Sequence, residues 1–290
     1  MINHPIEPAG DPPGLFRAAA LRLLDDAQAQ LDPADPAKSA HEVRKRIKET
    51  RTILRLLRSG PGDGTRDLHD QLRSIAHELA PLRESAALRD SADTLCKLAA
   101  ELDDAQPIVD KLAEHLTSSP DSPVFTDLQA RLAAAASDLL AMQLPTRKQV
   151  RRQAVRLYAK GRKLMHKAAT SRSLRPRGHD DAEQWHDWRK RAKDLRYLLE
   201  LLRDRSPTFA GGLAAAAKSL TDALGDEHDL AELEHQILAL GRDDTEPLRQ
   251  LVDRQRIQHR RLARHLGRQL YLDSPKAAKT RFKLMMSQHP

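Results

Sequence analysis

The chain has 290 residues, with 49 Lys and Arg against 41 Asp and Glu, a formal charge of +8. Aromatic residues make up only 3% of a sequence that is 40% hydrophobic, so any core has to be built from Leu, Ala, Val and Ile. The length suffices for one large or two ordinary domains. No run of about 18 apolar residues occurs, which argues against a membrane-spanning helix. The opening MINHPIEPAGDPPGLF lacks a charged start leading into an apolar stretch, so no secretory signal is expected and the chain reads as cytoplasmic. A single cysteine, Cys96, excludes an intramolecular disulfide framework and a multi-cysteine zinc site, and is expected to be a small core residue.

In chain order, helical periodicity covers roughly 13–31, 37–59, 65–80, 84–104, 107–118, 123–143, 146–171, 181–205, 209–224, 226–241, 246–271 and 275–286. The stops have a common cause: Pro33, Pro36, Gly60-Pro61-Gly62, Pro120, Pro123, Pro145, Pro176, Pro207 and Pro275 cannot sit in a helix interior. Period-2 apolar alternation is missing, so the expected class is all-α, with each half of the chain forming an antiparallel, four-helix-like bundle. The charge is divided unevenly. Residues 1–145 carry 17 Lys and Arg against 23 Asp and Glu, whereas residues 146–290 carry 32 against 18. Leu139 to His179 holds twelve cations and no carboxylate, and Arg254 to Lys283 holds ten cations against Asp273. Clustered positive charge of this kind draws polyanions.

An internal repeat organises the sequence. HEVRKRIKETRTILRLLR at His41–Arg58 aligns without gaps on HDWRKRAKDLRYLLELLR at His186–Arg203, with ten of 18 positions identical at an offset of 145. Leu68, Ser74, Leu79 and Leu88 align at the same offset on Leu213, Ser219, Leu224 and Leu233. Self-similarity at half-length implies a duplication, with halves 1–145 and 146–290. On a helical wheel His41, Arg44, Lys48, Arg51 and Arg55 fall within about 80° of one another, and Val43, Ile47, Leu54 and Leu57 form a separate apolar stripe. The second copy places His186, Arg189, Lys193 and Arg196 together, opposite Trp188, Ala192, Leu195, Leu199 and Leu202. Lys45 and Lys190 flank the two basic stripes. Cations at this spacing repel, and their recurrence at one phase in both halves points to an anionic ligand. Glu42, Glu49, Asp187 and Asp194 lie off the stripe on the wheel, so they are expected to leave it partly unneutralised.

Two further stripes follow. Lys148, Arg152, Arg156, Lys160, Lys163 and Lys167 recur at i+4 or i+3, opposite Val150, Ala154, Leu157, Leu164 and Ala168. Arg256, Arg260, Arg264 and Arg268 recur at i+4 and are expected on the surface. If the basic helices face one groove, together they form a long positive channel.

The doubled H-x-x-R-x-x-x-K-x-x-R pattern in an all-helical chain resembles the CHAD domain, the conserved histidine α-helical domain. LRSIAHELAPLRESAAL (72–88), LTDALGDEHDLAEL (220–233) and RHLGRQLYLDSPKAAKTRFKLM (264–285) are similar to its leucine-spaced helices and closing segment. The resemblance spans about Leu15 to Lys283. It implies two pseudo-symmetric bundles with a basic central surface that binds inorganic polyphosphate, commonly beside CYTH-type triphosphate-tunnel enzymes or at polyphosphate granules. By motif position it implies His41, Arg44, Lys48 and Arg51 with His186, Arg189, Lys193 and Arg196 as ligands, and Arg83 and His228 at the leucine-helix ends. The chain departs from the pattern where the first-half Arg-Asp is Arg83-Glu84, and where Glu200 stands opposite Arg55. It carries no E-x-E-x-K signature of a CYTH partner.

The chemistry of the polymer agrees with the resemblance. Polyphosphate has no bases to stack on, so its binder needs Arg forks and Lys charges and little aromatic surface. Single-stranded nucleic acid usually stacks on aromatic platforms, which this chain has few of. An RNA- or DNA-binding helical module is nevertheless an alternative, since basic helix faces also hold nucleic-acid phosphates. A metal-dependent phosphohydrolase is another, suggested by His41-Glu42, His186-Asp187 and His228-Asp229. Neighbouring residues on a helix point about 100° apart, however, which makes such a dipeptide a poor chelate. A helical adaptor for acidic proteins is the third. The expectation is a non-catalytic polyphosphate binder with no cofactor or metal, using the residues named above with Lys45, Arg55, Arg152, Arg156, Lys160, Lys163 and Lys190.

Overall fold

A computed structural model describes residues 11–60, 62–82, 125–169, 179–239 and 245–287, together with Leu174 and Pro176. Every regular element among them is helical: α1 (Pro12–Ala29), α2 (Pro36–Leu57), α3 (Thr65–Glu78), α4 (Phe125–Ala141), α5 (Arg147–Ala169), α6 (His179–Arg203), a π-turn (Pro207–Gly211), α7 (Gly212–Ala239), α8 (Glu246–Leu270) and α9 (Pro275–Ser287). The expected helices over 84–104 and 107–118, and Cys96, lie outside the described residues. None of the described helices is long and apolar enough to cross a membrane.

Helix starts are written in the local chemistry. Pro36 opens α2 at a position where its missing N–H is harmless, and the Asp35 carboxylate accepts from the Lys38 N–H at 3.1 Å. Before α3, Gly62 and Gly64 take φ of +76° and +73°, a region that only glycine enters cheaply. Asp63 between them accepts from the backbone N–H of Ser59, Gly60 and Thr65 at 2.6, 2.9 and 3.0 Å. Burial alone would raise its pKa. The hydrogen bonds from Thr65, Gly60 and Ser59 outweigh that and hold it down at about 2. Ser274 accepts from the Ala277 N–H at the start of α9.

One expectation fails here. The sequence suggests two helices broken near Gly225, whereas α7 runs unbroken from Gly212 to Ala239. A glycine inside a helix costs about 1 kcal/mol. Packing of α7 against both α6 and α8 outweighs it, burying Leu220, Leu224, Leu230 and Leu233.

In the first half α1 packs on α2 and α4, and α3 on α2 and α4. In the second, α6 packs on α5 and α7, α8 on α7, and α9 on α5. The halves join where α2 meets α5 and α6 and where α1 meets α5. One hydrophobic cluster runs through both, from Phe16, Leu24 and Val43 to Trp188, Leu199 and Phe282. At about 1.5–3 kcal/mol for each fully buried large side chain, this cluster is the main source of stability. Two glycines are required by close approach. A Cβ on Gly161 of α5 would stand 2.9 Å from the Tyr271 ring, and one on Gly267 of α8 would stand 2.5 Å from Trp188 of α6. The arrangement is compatible with an internal duplication, since Val43 and Trp188 occupy matched positions in the repeat and both are fully buried.

Candidate anion-binding site

The first basic stripe lies on α2 beside α3. His41, Lys45 and Lys48 are exposed. The Lys45 ammonium is 3.5 Å from Glu42, and His41 Nε2 is 3.9 Å from the same carboxylate. Arg44 donates to the Ala76 carbonyl near the end of α3, satisfying an acceptor that the helix end leaves over. Farther along, Arg51 Nε and Arg55 Nη1 both reach His69 Nε2, each at 3.3 Å. Two donors on one nitrogen assign it as the acceptor of a neutral ring. Its Nδ1–H then donates to Asp70 at 3.2 Å. Burial lowers the His69 pKa, Asp70 opposes that shift, and Arg51 and Arg55 reinforce it. His69 thus spaces two guanidinium groups. No sequence motif marks this residue, because the pairing is between helices.

On α6 the second stripe faces α7. The His186 ring stacks on that of His228, with centroids 4.5 Å apart and planes at 35°. Burial pushes the His186 pKa down to about 4, with Lys190 and Arg189 lowering it further and Asp187 opposing. Arg189 lies 4.0 Å from Asp229, and Lys190 is 3.3 Å from Asp187. Lys193 is half-buried. Arg196 donates through Nε to Glu200 at 2.7 Å and through Nη1 to Thr221 at 3.5 Å.

The two copies meet at their C-terminal parts. Asp194, 4% exposed, accepts from Thr52 Oγ1 of α2 at 2.8 Å, from Arg55 Nη2 of α2, and from Arg191 Nη1 at 2.6 Å. Glu49 of α2, at the position matching Asp194, is raised in pKa by burial, with Arg46, Lys45, Glu200 and Arg196 as its charged surroundings. Arg51, Arg55, Arg191 and Arg196 are therefore gathered around the α2–α6 crossing. This corrects the expectation for Asp194. A single-helix wheel places it off its own basic stripe, but it faces the other copy and engages that copy's stripe at Arg55. The N-terminal groups His41, Arg44 and Lys48 lie on the part of α2 beside α3, whereas His186 and Arg189 contact α7.

The doubled basic helix, met in one molecule and packed through one acidic joint, is matched by a family model: the CHAD domain, over residues 18–238. The chain belongs to the CHAD family. No curated protein matches the chain, and no solved structure matches it. The family is linked to polyphosphate binding. The CHAD match takes in α2, α6 and nearly all of α7, and so covers every candidate ligand named from the sequence. Arg83 lies outside the described residues.

Helix α5 of the CHAD protein carries the third group. Lys148, Arg152, Arg156, Lys160 and Lys163 are all exposed, and none has an ion pair among the described residues. They form one row because Val150, Ala154, Tyr158, Gly161 and Met165 face inward. Helix α5 itself packs against both α2 and α6. Among the described residues, no three His, Cys, Asp or Glu side chains are grouped to hold a metal.

The expected surface stripe on α8 holds for its last two members only, Arg268 exposed and Arg264 half-buried. Arg256 and Arg260 are 2% and 0% exposed. Arg256 donates to Glu227 of α7 through Nη2 at 3.0 Å and to Glu234 through Nη1. Arg260 donates to Glu227 through Nε at 2.8 Å and to Asp181 through Nη1, and its guanidinium lies 4.9 Å from the Trp185 ring centre. Such a cluster is tolerable inside only because each cation has a carboxylate. Glu227 and Trp185 directly precede His228 and His186, so the cluster holds the backbone under the stacked pair. A signal was available: Arg256 and Arg260 share a helical phase with Val252, Ala263 and Gly267, all buried.

Proposed function

We propose that this CHAD protein binds inorganic polyphosphate without turning it over, the polymer lying along the basic faces of α2 and α6 and continuing onto the row on α5. The observation that carries this reading is the crossing itself, where Arg55 of one basic helix and Arg191 of the other share the buried Asp194, with Arg51 in the field of that carboxylate and Arg196 beside Glu49. Arg44, Lys48, Arg189, Lys193, Lys45 and Lys190 extend the positive surface in both directions. Lys148, Arg152, Arg156, Lys160 and Lys163 add cations that have no ion pair among the described residues. Arginine forks and lysine charges suit tetrahedral phosphates, and the 3% aromatic content suits a ligand without bases. On this reading the protein works in the cytoplasm, at polyphosphate granules or beside CYTH-type enzymes.

The test is titration with polyphosphate of defined length at several salt concentrations. By analogy with nucleic acids, neutralising about eight phosphates gives a log–log salt slope of roughly −6 to −7. Replacing Arg44, Lys48, Arg189 and Lys193 together by Glu is expected to abolish binding while circular dichroism still reports a helical protein. Binding by the quadruple variant with an unchanged slope overturns the site. A large preference for RNA of matched charge overturns the ligand, and release of phosphate in the presence of Mg²⁺ or Mn²⁺ overturns the non-catalytic reading.

A further inference from the structure

The stacked imidazoles of His186 and His228 are a poor arrangement for two cations and a good one for a group that waits to be charged. His186 Nδ1 is buried without a hydrogen-bond partner, so a proton added there finds no acceptor. The surroundings also oppose protonation. On α6 the ring has Arg189, Lys190 and Lys193 around it, and the nearest acid, Asp187, lies against Lys190. On α7 the ring of His228 covers it, Asp229 lies towards Arg189, and Glu227 is turned inward to Arg256 and Arg260. From α8, Arg260 lies against the Trp185 ring and is matched by Glu227 and Asp181. Burial adds its own penalty, and His186 stays neutral down to about pH 4.

A polyanion reverses each of these effects. Phosphate oxygens among Arg189, Lys190 and Lys193 offset the cations that repel an imidazolium, and they supply acceptors for its N–H groups. Resting on the polyphosphate reading above, we infer that anion capture at this end of α6 is coupled to uptake of a proton by the stacked His186–His228 pair, so that the site tightens in acid and loosens towards neutral pH. The sign follows from linkage. The bound form has the higher pKa, so affinity falls with rising pH between the free and bound values and is level above the bound one.

The experiment is calorimetric titration of the full chain with long polyphosphate from about pH 5 to about pH 8 at constant ionic strength, in buffers of differing ionisation heat. The expected result is net uptake of up to about one proton per site, with affinity changing by up to tenfold per pH unit within the window. In a His186→Gln/His228→Gln variant the slope and the uptake are expected to drop, although His41 and the polymer's own end groups still titrate. That background is common to both proteins and cancels in the difference. Should the variant lose its helical signal, the single His186→Gln variant takes its place in the same comparison. Wild-type binding without uptake, or a slope that the double variant retains, overturns the coupling and leaves the polyphosphate reading standing. Failure of the wild type to bind at any pH overturns both.

Discussion

Replacing Asp194 by Asn tests the joint between the two basic helices. The carboxylate accepts from Thr52, Arg55 and Arg191, and it is the buried member of the group, with Arg55 and Arg191 side chains 34% and 24% exposed. Breaking a fully buried pair costs about 3–5 kcal/mol. Both arginines can turn partly to water once released, so screening reduces the loss to about 2 kcal/mol. Asparagine keeps the shape and the acceptor facing Thr52, but presents an N–H group to one of the arginines. With a urea m-value of about 3 kcal/mol/M for a chain of this size, the midpoint is expected to fall by about 0.7 M. The same substitution raises the charge at the crossing by one, releases Arg191 from the atom that becomes the amide nitrogen, and leaves Arg55 on a neutral acceptor. Polyphosphate affinity is therefore expected to rise, with the salt slope steepening by about 0.7–0.9 for each additional phosphate neutralised. Stability and affinity move in opposite directions. A pairwise cycle with Arg55→Gln is expected to be less than additive. An unmoved urea midpoint refutes the energetic argument, and weaker binding by a folded variant refutes the view that Asp194 masks ligand-binding cations.

Two further outcomes follow from the geometry. Glu227→Gln removes the carboxylate shared by Arg256 and Arg260 at 3% and 0% side-chain exposure, and is expected to cost about 3–5 kcal/mol, read by chemical denaturation. Full wild-type stability in that variant refutes the account of the cluster. Asp63 is held down at about 2 in the folded chain, against 3.8 for the unperturbed group, so its contribution is complete above the unfolded value and disappears as pH falls through about 2. Asp63→Asn is therefore expected to lower stability by about 1–2 kcal/mol at neutral pH, and the difference is expected to close in strong acid. A gap independent of pH contradicts the assignment.

Much of this molecule is legible in its sequence because helix boundaries obey local rules. Pro36, Pro275 and the Gly62 to Gly64 turn mark starts and stops close to those observed, and the inward positions of the repeat, Val43 and Ile47 or Trp188 and Leu199, are buried as periodicity requires. What the sequence hides is pairing between helices. Asp194 looks peripheral on its own wheel and is central once α2 crosses it. His69 has no motif, yet it separates Arg51 from Arg55. Arg256 and Arg260 look like a solvated stripe if charge is weighed before phase, whereas their phase is that of Val252 and Ala263. Gly225 suggests a break because propensity is local, while the packing that overrides it comes from α6 and α8. The π-turn at Pro207–Gly211 has no pattern beyond its proline.

The family pattern stops at residue 238, one residue before α7 ends, but the physical unit does not. The cations that neutralise Glu227 arrive from α8, as does Gly267, the shallow seat for Trp188, and Tyr271 follows to fill the notch at Gly161. Trimming the polypeptide to the recognisable stretch would strand a carboxylate in an apolar setting and uncover two tryptophans at once. For expression and dissection α8 and α9 have to travel with the rest, since part of what they supply is the wall behind the histidines.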